Sequence, residues 1–491
     1  MTVLRAAAVL LSLLPAAAVG AQPPNIVLIL ADDLGWTDLA CYGSDYHRTP
    51  RTDQLAREGL RFTDAYAACQ SCSPTRASIL TGRYPARLHL TDWIPGRTPD
   101  GSPLSPPDWT NYLRHGEITI AEALAPAGYV SASIGKWHLG KKGWFPQDQG
   151  FAVNVLGSAA GSHARMFPPY WPPTQLRTVG LEPLSDVRGD EYLTDRLTRE
   201  AEAFLEAHRD QPFFLYLSHF AVHARIQGKP ELVRRYEARP PGRYHHNPEY
   251  AAMLESLDES VGRIVDKLEA LGLSERTLVV FYSDNGGLSK GGAITSNRPL
   301  RGEKSTAWEG GVRVPLIARW PGVVPPGRET GEPVSSPDLF PTFLEAAGVE
   351  PPVEIDGKSL LPLLRGEEFR RGPIFWHAPH YNAHTPVLTM TPYGAVRDGD
   401  WKLIERYEDG SIELYNMAED LGETTDLSAE RPEVAARLRG LLADWRGSVG
   451  AQTPTANPDA DPVRYSDYKE NHRWGPVGDY EQRPPEIIPP D

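Results

Sequence analysis

Two acidic stretches in this chain stand at the ends of apolar runs. Ile26–Leu30 continues into Ala31-Asp32-Asp33, and Leu278–Ser283 continues into Asp284-Asn285-Gly286-Gly287. A continuous apolar run reads as a strand buried on both faces, and ligands of open α/β sheets gather at strand carboxyl ends. Taken singly, each stretch is also a good polar turn. Taken together they offer four hard oxygen donors, which suit Ca²⁺ or Mg²⁺ better than zinc.

A third stretch, Cys72-Ser73-Pro74-Thr75-Arg76, runs on to Thr81-Gly82. Ser73 suits an N-cap, Pro74 a first helical position and Gly82 a helix stop. Cys72 then stands at a helix N-terminus, where backbone N–H groups favour an anion. Arg76 follows about one turn later, with a fork suited to an oxyanion. A buried structural thiol beside a capped helix is the plainer alternative. Cysteine phosphatases place their arginine six residues after the cysteine; here the spacing is four.

Gly135-Lys136-Trp137-His138-Leu139-Gly140 follows an apolar run that ends at Ile134. In an extended segment Lys136 and His138 point the same way, and a cation beside an imidazole suits sulfate binding and proton transfer. The run Phe213–His219 leads to His223, in a loop where a catalytic acid would serve. His219 reads equally well as a hydrogen-bonded structural histidine. Leu300–Gly311 carries Lys304 among glycines and Trp308, the texture of a packed and shaped loop.

Five of these segments, in chain order Asp32-Asp33, Cys72–Gly82, Gly135–Gly140, Asp284-Asn285 and the one around Lys304, resemble the formylglycine-dependent (type I) sulfatases, arylsulfatase-like members of the alkaline phosphatase superfamily. The Cys-x-Pro-x-Arg stretch with its following Thr-Gly, and the Gly-Lys-Trp-His-Leu-Gly stretch, are the most specific matches. The likeness extends from Asn25 to Leu427. It implies an α/β fold with a large mixed β-sheet sandwiched by helices, and a smaller C-terminal antiparallel sheet plus helix. It implies that Cys72 is oxidised to formylglycine (3-oxoalanine), whose hydrate attacks sulfur beside one Ca²⁺ held by Asp32, Asp33, Asp284, Asn285 and residue 72. By the same resemblance Arg76 stabilises the diol, and Lys136 and Lys304 hold sulfate oxygens. His223 protonates the leaving oxygen, and His138 takes a proton from the second hydroxyl. Thr75 stands where many members have Ser or Ala. Ser162, His163, His377 and His380 are candidate substrate contacts, the last two beside aromatics in Phe375–Tyr381. The implied substrate is a sulfated sugar or an aryl sulfate; the overall acidity argues for a pocket that takes a chain end, and so for exo action. The implied partner is a formylglycine-generating or anaerobic sulfatase-maturing enzyme. Rival readings are a phosphonate monoester or phosphodiester hydrolase with the same modified nucleophile, and a non-catalytic sulfated-glycan-binding protein should Cys72 stay unoxidised.

The elements that must position these residues are legible as alternation. Strands are expected at Ile26–Leu30, Tyr129–Ile134, Phe213–His219, Leu278–Ser283 and Pro315–Trp320. Helices are expected at Ile118–Ala127, Glu191–Ala207 and Tyr250–Leu271, the pattern of a mainly parallel sheet. Beyond Ala347, short runs at Ile374–His377, Gly394–Arg397, Lys402–Arg406 and Glu413–Asn416 predict a small antiparallel sheet, followed by a helix over Pro432–Arg446. The 491 residues thus divide into a leader at 1–21, a catalytic domain at 22–370, a C-terminal subdomain at 371–450 and a Pro-rich surface tail at 451–491. Arg5, the apolar run Ala6–Ala18 and Val19-Gly20-Ala21 have the form of a signal peptide, so an exported protein, periplasmic or secreted, is expected. No run is long enough for a membrane span. The formal charge of −14 disfavours a nucleic-acid partner. Three cysteines cannot all pair, and a Cys41–Cys69 bond stays open.

Overall fold

The structure is a computed structural model that describes residues 23–96, 98–99, 101–182, 187–381 and 390–471. Residues 1–22, which include the expected leader, and residues 472–491 of the expected tail lie outside the described residues. Eight strands form the main sheet: β1 (Asn25–Ala31), β2 (Leu60–Phe62), β3 (Val130–Gly135), β4 (Val153–Val155), β5 (Phe213–Ser218), β6 (Thr277–Ser283), β7 (Leu316–Arg319) and β8 (Arg328–Thr330). Their spatial order is β8-β2-β7-β6-β1-β5-β3-β4. β6, β1, β5, β3 and β4 run parallel, and β7 is antiparallel to both of its neighbours.

β1 has no exposed residue, because helices cover both faces of the sheet. Ile26, Leu28 and Leu30 join one apolar core with Leu80, Phe340 and Phe343. Val27 and Ile29 join the opposite core with Leu197, Leu257 and Val261, from the helices Leu193–Ala207 and Pro248–Ala270. This two-sided burial explains the unbroken apolar runs. The run expected as a helix over Ile118–Ala127 is shorter: Thr119 caps it with Glu122 in a capping box, and Pro126 turns its end into a 3₁₀ segment.

The C-terminal sheet is antiparallel and follows chain order: β9 (Ile374–Ala378), β10 (Tyr393–Asp398), β11 (Trp401–Arg406) and β12 (Ile412–Asn416). The helix Pro432–Ser448 packs on it through Leu438 and Leu442. Beyond it, Thr455–Ala456 pair with Leu104–Ser105, and a helix covers Pro462–Asn471. Among the described residues no helix is long and apolar enough to cross a membrane. Cys41, Cys69 and Cys72 are all free thiols.

A buried ion cluster fastens the C-terminal sheet to the main body. Lys402 on β11 is fully buried and contacts Glu309 at 2.8 Å and Glu423 at 2.9 Å. Glu309 also accepts from Arg313 and from the Tyr66 hydroxyl. Removing one partner strands the other buried charges. Lys402→Met is therefore expected to destabilise the protein by about 3–5 kcal/mol in urea unfolding. A loss under about 1 kcal/mol would show that the cluster is not a structural tie.

Candidate active site

The carboxyl ends of the parallel strands β1, β3, β5 and β6 lie along one edge of the sheet, and each delivers part of the site. Asp32 and Asp33 follow β1, Lys136 and His138 follow β3, His223 follows β5, and Asp284 and Asn285 follow β6. The helix α1 (Cys72–Thr81) brings Cys72 to the same edge with all ten of its residues buried. Ser71, rather than Ser73, is its N-cap residue, so Cys72 is the first helical position and Pro74 the third. The Ser73 hydroxyl instead accepts from the Ile94 N–H at 3.2 Å. The Thr75 hydroxyl accepts from Cys69 N–H at 3.2 Å and lies 3.0 Å from the Cys69 carbonyl, fixing the approach to the helix. Gly82 ends α1 in the left-handed region (φ 70°), where Phe340 leaves no room for a side chain.

Arg76 is fully buried and joins three of the strand ends. Its Nε donates to Asp284 at 2.8 Å, and Nη1 to the Lys136 carbonyl at 3.0 Å and the Ser218 hydroxyl at 2.5 Å. Lys136 Nζ contacts both oxygens of Asp32, at 2.8 and 2.7 Å. Arg76 and Lys136 thus lie in the floor of the site and do not line the pocket above it. Lys304 does line it, with Nζ 2.7 Å from Asp33 and 3.6 Å from Cys72 Sγ. Its loop is held by Lys304 N–H on the Gly287 carbonyl and Ser305 N–H on the Gln70 carbonyl. Burial opposes ionisation of Asp33, but His223, Lys304 and Lys136 outweigh it and hold the carboxyl below the usual range. Burial pushes the Cys72 thiol up to about 11, against Lys136 and Lys304.

A pocket of about 400 Å³ opens above this floor, lined by Cys72, Lys304, His138, His223 and Ser162 among others. His138 Nε2 lies 2.6 Å from the Ile94 carbonyl, so it carries the proton, and the buried Nδ1 is left as a lone pair with no partner. Burial, then the charge of Lys136, holds this imidazole neutral. His223 Nδ1 lies 2.5 Å from the Ala224 carbonyl, which leaves Nε2 facing Asp33 at 3.6 Å.

Asp32, Asp33, Cys72 and His223 each present one ligand atom, all within 4.8 Å of one another, a group able to hold a metal ion. Asn285 Nδ2 donates to Asp33 at 2.8 Å, while its buried Oδ1 has no partner.

Not every expected contact reaches the pocket. His377 is held by the Tyr407 hydroxyl at 2.7 Å and the Gln452 carbonyl at 2.8 Å. His380 bonds Thr91 at 2.8 Å with its ring edge-on to Trp109. Both are buried away from the pocket lining, His377 held within the C-terminal region and His380 against Thr91 and Trp109 of the main body. His163 lines an adjoining hollow, and His219 bonds Ser260 at 3.1 Å beneath the helix Pro248–Ala270. Trp93, Ile94 and Pro95 form a wall of the pocket that sequence reasoning missed, since three unpatterned residues carry no signal.

A family model described as "Sulfatase" matches residues 24–349. The chain belongs to the sulfatase family. A second model, "N-sulphoglucosamine sulphohydrolase, C-terminal", matches residues 303–446. A "Sulfatase" of Formosa agariphila is 35% identical over 90% of this chain and 92% of its own. Human "Arylsulfatase A" is 38% identical over 88% of this chain and 90% of its own. The crystal structure of "Ps i-CgsB in complex with k-i-k-neocarrahexaose" superposes with a TM-score of 0.72 at 28% identity, covering 94% of this chain and 100% of that one. This sulfatase is thus a sulfuric ester hydrolase with the alkaline phosphatase fold.

The sulfatase also depends on a close approach at Gly161. A Cβ there would stand 2.6 Å from both Cε1 and Nε2 of His138. Gly161→Ala is expected to push the imidazole aside and lower kcat/KM by about 100-fold while the melting temperature changes little. Unchanged kinetics in the folded variant would show that the position of His138 does not matter.

Proposed function

We propose that this sulfatase hydrolyses sulfate esters at the ends of sulfated carbohydrates, using a formylglycine made from Cys72 and one bound Ca²⁺. The observation that carries the reading is the convergence of Cys72, Lys304, His138 and His223 on one pocket above buried carboxylates.

The residues present fit both groups. The unpartnered Oδ1 of Asn285, whose Nδ2 donates to Asp33, is a hard oxygen suited to a cation. Asp32, Asp33, Asp284 and Asn285 would hold Ca²⁺ with residue 72, and the ion would supply positive charge and Lewis acidity at the sulfate oxygens. Burial holds the Cys72 thiol against ionisation, which argues against its use as a plain thiolate nucleophile in the folded protein. Oxidised to the aldehyde and hydrated, residue 72 would supply two hydroxyls, one to attack sulfur and one to release the sulfate.

The chain's own groups do the remaining work. Lys304, at the pocket wall and beside residue 72, binds sulfate oxygens and offsets the charge that grows as sulfur is attacked. Arg76 holds Asp284 and Lys136 holds Asp32, fixing the carboxylates from beneath. His223, its Nδ1 bound to the Ala224 carbonyl, offers Nε2 towards the departing alcohol oxygen as the acid; burial, with Lys304 and Lys136, holds this imidazole well below its usual range against the opposing charge of Asp33, so its proton is readily given up. His138 Nδ1, buried and unpartnered, is the base for the second hydroxyl.

A carbohydrate substrate is supported by the sugar named in the C-terminal family model and by the neocarrahexaose complex of the solved relative. A pocket of about 400 Å³, rather than a long groove, suits one terminal ring. Ser162 and Trp93 are the proposed sugar contacts, in place of His377 and His380. An exported location rests on the leader-like residues 1–21, and the modification calls for a maturing enzyme in the host.

Mass spectrometry of the tryptic peptide Phe62–Arg76 is expected to show an aldehyde in place of the Cys72 thiol, and Cys72→Ala to abolish turnover while the fold persists. Fully active enzyme with an intact thiol would overturn the mechanism. Chelation is expected to lower aryl sulfate turnover, with Ca²⁺ restoring it better than Zn²⁺. Turnover of phosphodiesters or phosphonate monoesters far faster than sulfate esters would move the assignment to those substrates.

A further inference from the structure

A second hollow, of about 510 Å³, adjoins the catalytic pocket. Gly161 and Ser162 line both, and the segment after His223 enters the lining of the second at Ala224 and Arg225. On the mechanism proposed above, His223 protonates the departing oxygen, so the sugar that bears this oxygen extends to the side of His223. A saccharide extending past Gly161 and Ser162 would bring its next ring to this hollow.

Its lining is built for a polar occupant. His163 is 3% exposed, and its Nε2 lies 2.9 Å from the Arg225 carbonyl. The proton is therefore on Nε2, and Nδ1 is an acceptor that is buried and has no partner. Buried polar atoms are nearly always satisfied, so this one points to a donor such as a sugar hydroxyl. Trp171, also 3% exposed, is fixed by its indole N–H on the Ser162 carbonyl at 3.0 Å and by an edge contact with Phe220.

Arg225 adds charge. It is exposed, and among the described residues its guanidinium has no carboxylate or carbonyl acceptor. An exposed arginine is ordinarily just solvated. This one lines a hollow that also holds an unsatisfied imidazole, and its charge reaches His163, which burial, then Lys136 and Arg225, hold neutral with a pKa lowered to about 4. In a chain of net charge −14, an uncompensated guanidinium at such a place is suited to pairing with an anion of the substrate.

We propose that this hollow is a subsite for a neighbouring sugar ring bearing its own anionic group, a sulfate or a carboxylate, with Arg225 pairing the anion and His163 Nδ1 accepting a ring hydroxyl. The preferred substrate is then an oligosaccharide with negative charge on two adjacent residues.

The test compares three disaccharides with the same sulfated terminal ring and a neighbour that is neutral, sulfated or a uronic acid. Wild-type enzyme is expected to favour at least one anionic neighbour over the neutral one by about tenfold in kcat/KM. Arg225→Gln is expected to bring that ratio close to one, and Arg225→Lys to restore part of it. The better of the two anionic substrates identifies the sulfate or the carboxylate as the partner. Because the readout is a ratio, partial misfolding of a variant does not alter it. An unchanged ratio in Arg225→Gln, or no preference in the wild type, overturns the subsite while the sulfated-sugar reading stands. Hydrolysis of an aryl sulfate but of none of the disaccharides overturns both.

Discussion

The buried guanidinium of Arg76 is the constraint on which the rest of the site depends. A fully buried charge is tolerated only where partners meet it with good geometry. Its partners, Asp284, the Lys136 carbonyl and Ser218, come from the ends of β6, β3 and β5. Satisfying this one side chain fixes the relative height of three strand ends and seats α1 against them. The position of Cys72, one turn earlier on the same helix, follows. Three buried carboxylates, Asp32, Asp33 and Asp284, face the three cations Arg76, Lys136 and Lys304, so each charge on the floor has an opposite beside it.

Much of this architecture was legible in the sequence because two-sided burial leaves an unmistakable mark. β1, β5 and β6 are buried apolar runs whose small polar residues, Asn25, Ser218, Thr277 and Ser283, stand at their ends, and their observed ends fall within a residue of the expected ones. The start of α1 was less legible. The first N–H groups of a helix have no intrahelical partner, so Pro74 is tolerated at the third position as well as at the first. Composition could not choose between Ser71 and Ser73 as the cap. The histidines of Phe375–Tyr381 were misleading for a different reason. A histidine beside aromatics suits a ligand contact and a satisfied core position equally. Tyr407, Gln452 and Thr91, which occupy His377 and His380, lie far away in sequence.

The C-terminal sheet also takes part in positioning the site. Tyr393 on β10 donates to the Gln70 side chain at 2.8 Å, and the Gln70 carbonyl holds the N–H of Ser305, beside Lys304. Trp308, in the same loop, bonds Glu413 on β12 at 3.0 Å and lies under the Arg301 guanidinium. The loop that carries Lys304 is thus clamped between two sheets, which accounts for its charged yet Gly-rich and aromatic composition. A lysine on a free loop would sample many positions; this one is held beside Asp33 and Cys72.

The enclosure of α1 sets an order of events in time. Every residue of the helix is buried, and Cys72 is 3% exposed at the base of a pocket sized for a small molecule. In the folded chain the strands and the Lys304 loop leave little of that sulfur open to a second protein. If Cys72 is remade into an aldehyde by another enzyme, the encounter belongs to the nascent or unfolded chain, when Cys72–Arg76 is still an extended peptide. Folding then does two things at once: it assembles the catalytic centre and ends the period in which that centre can be made.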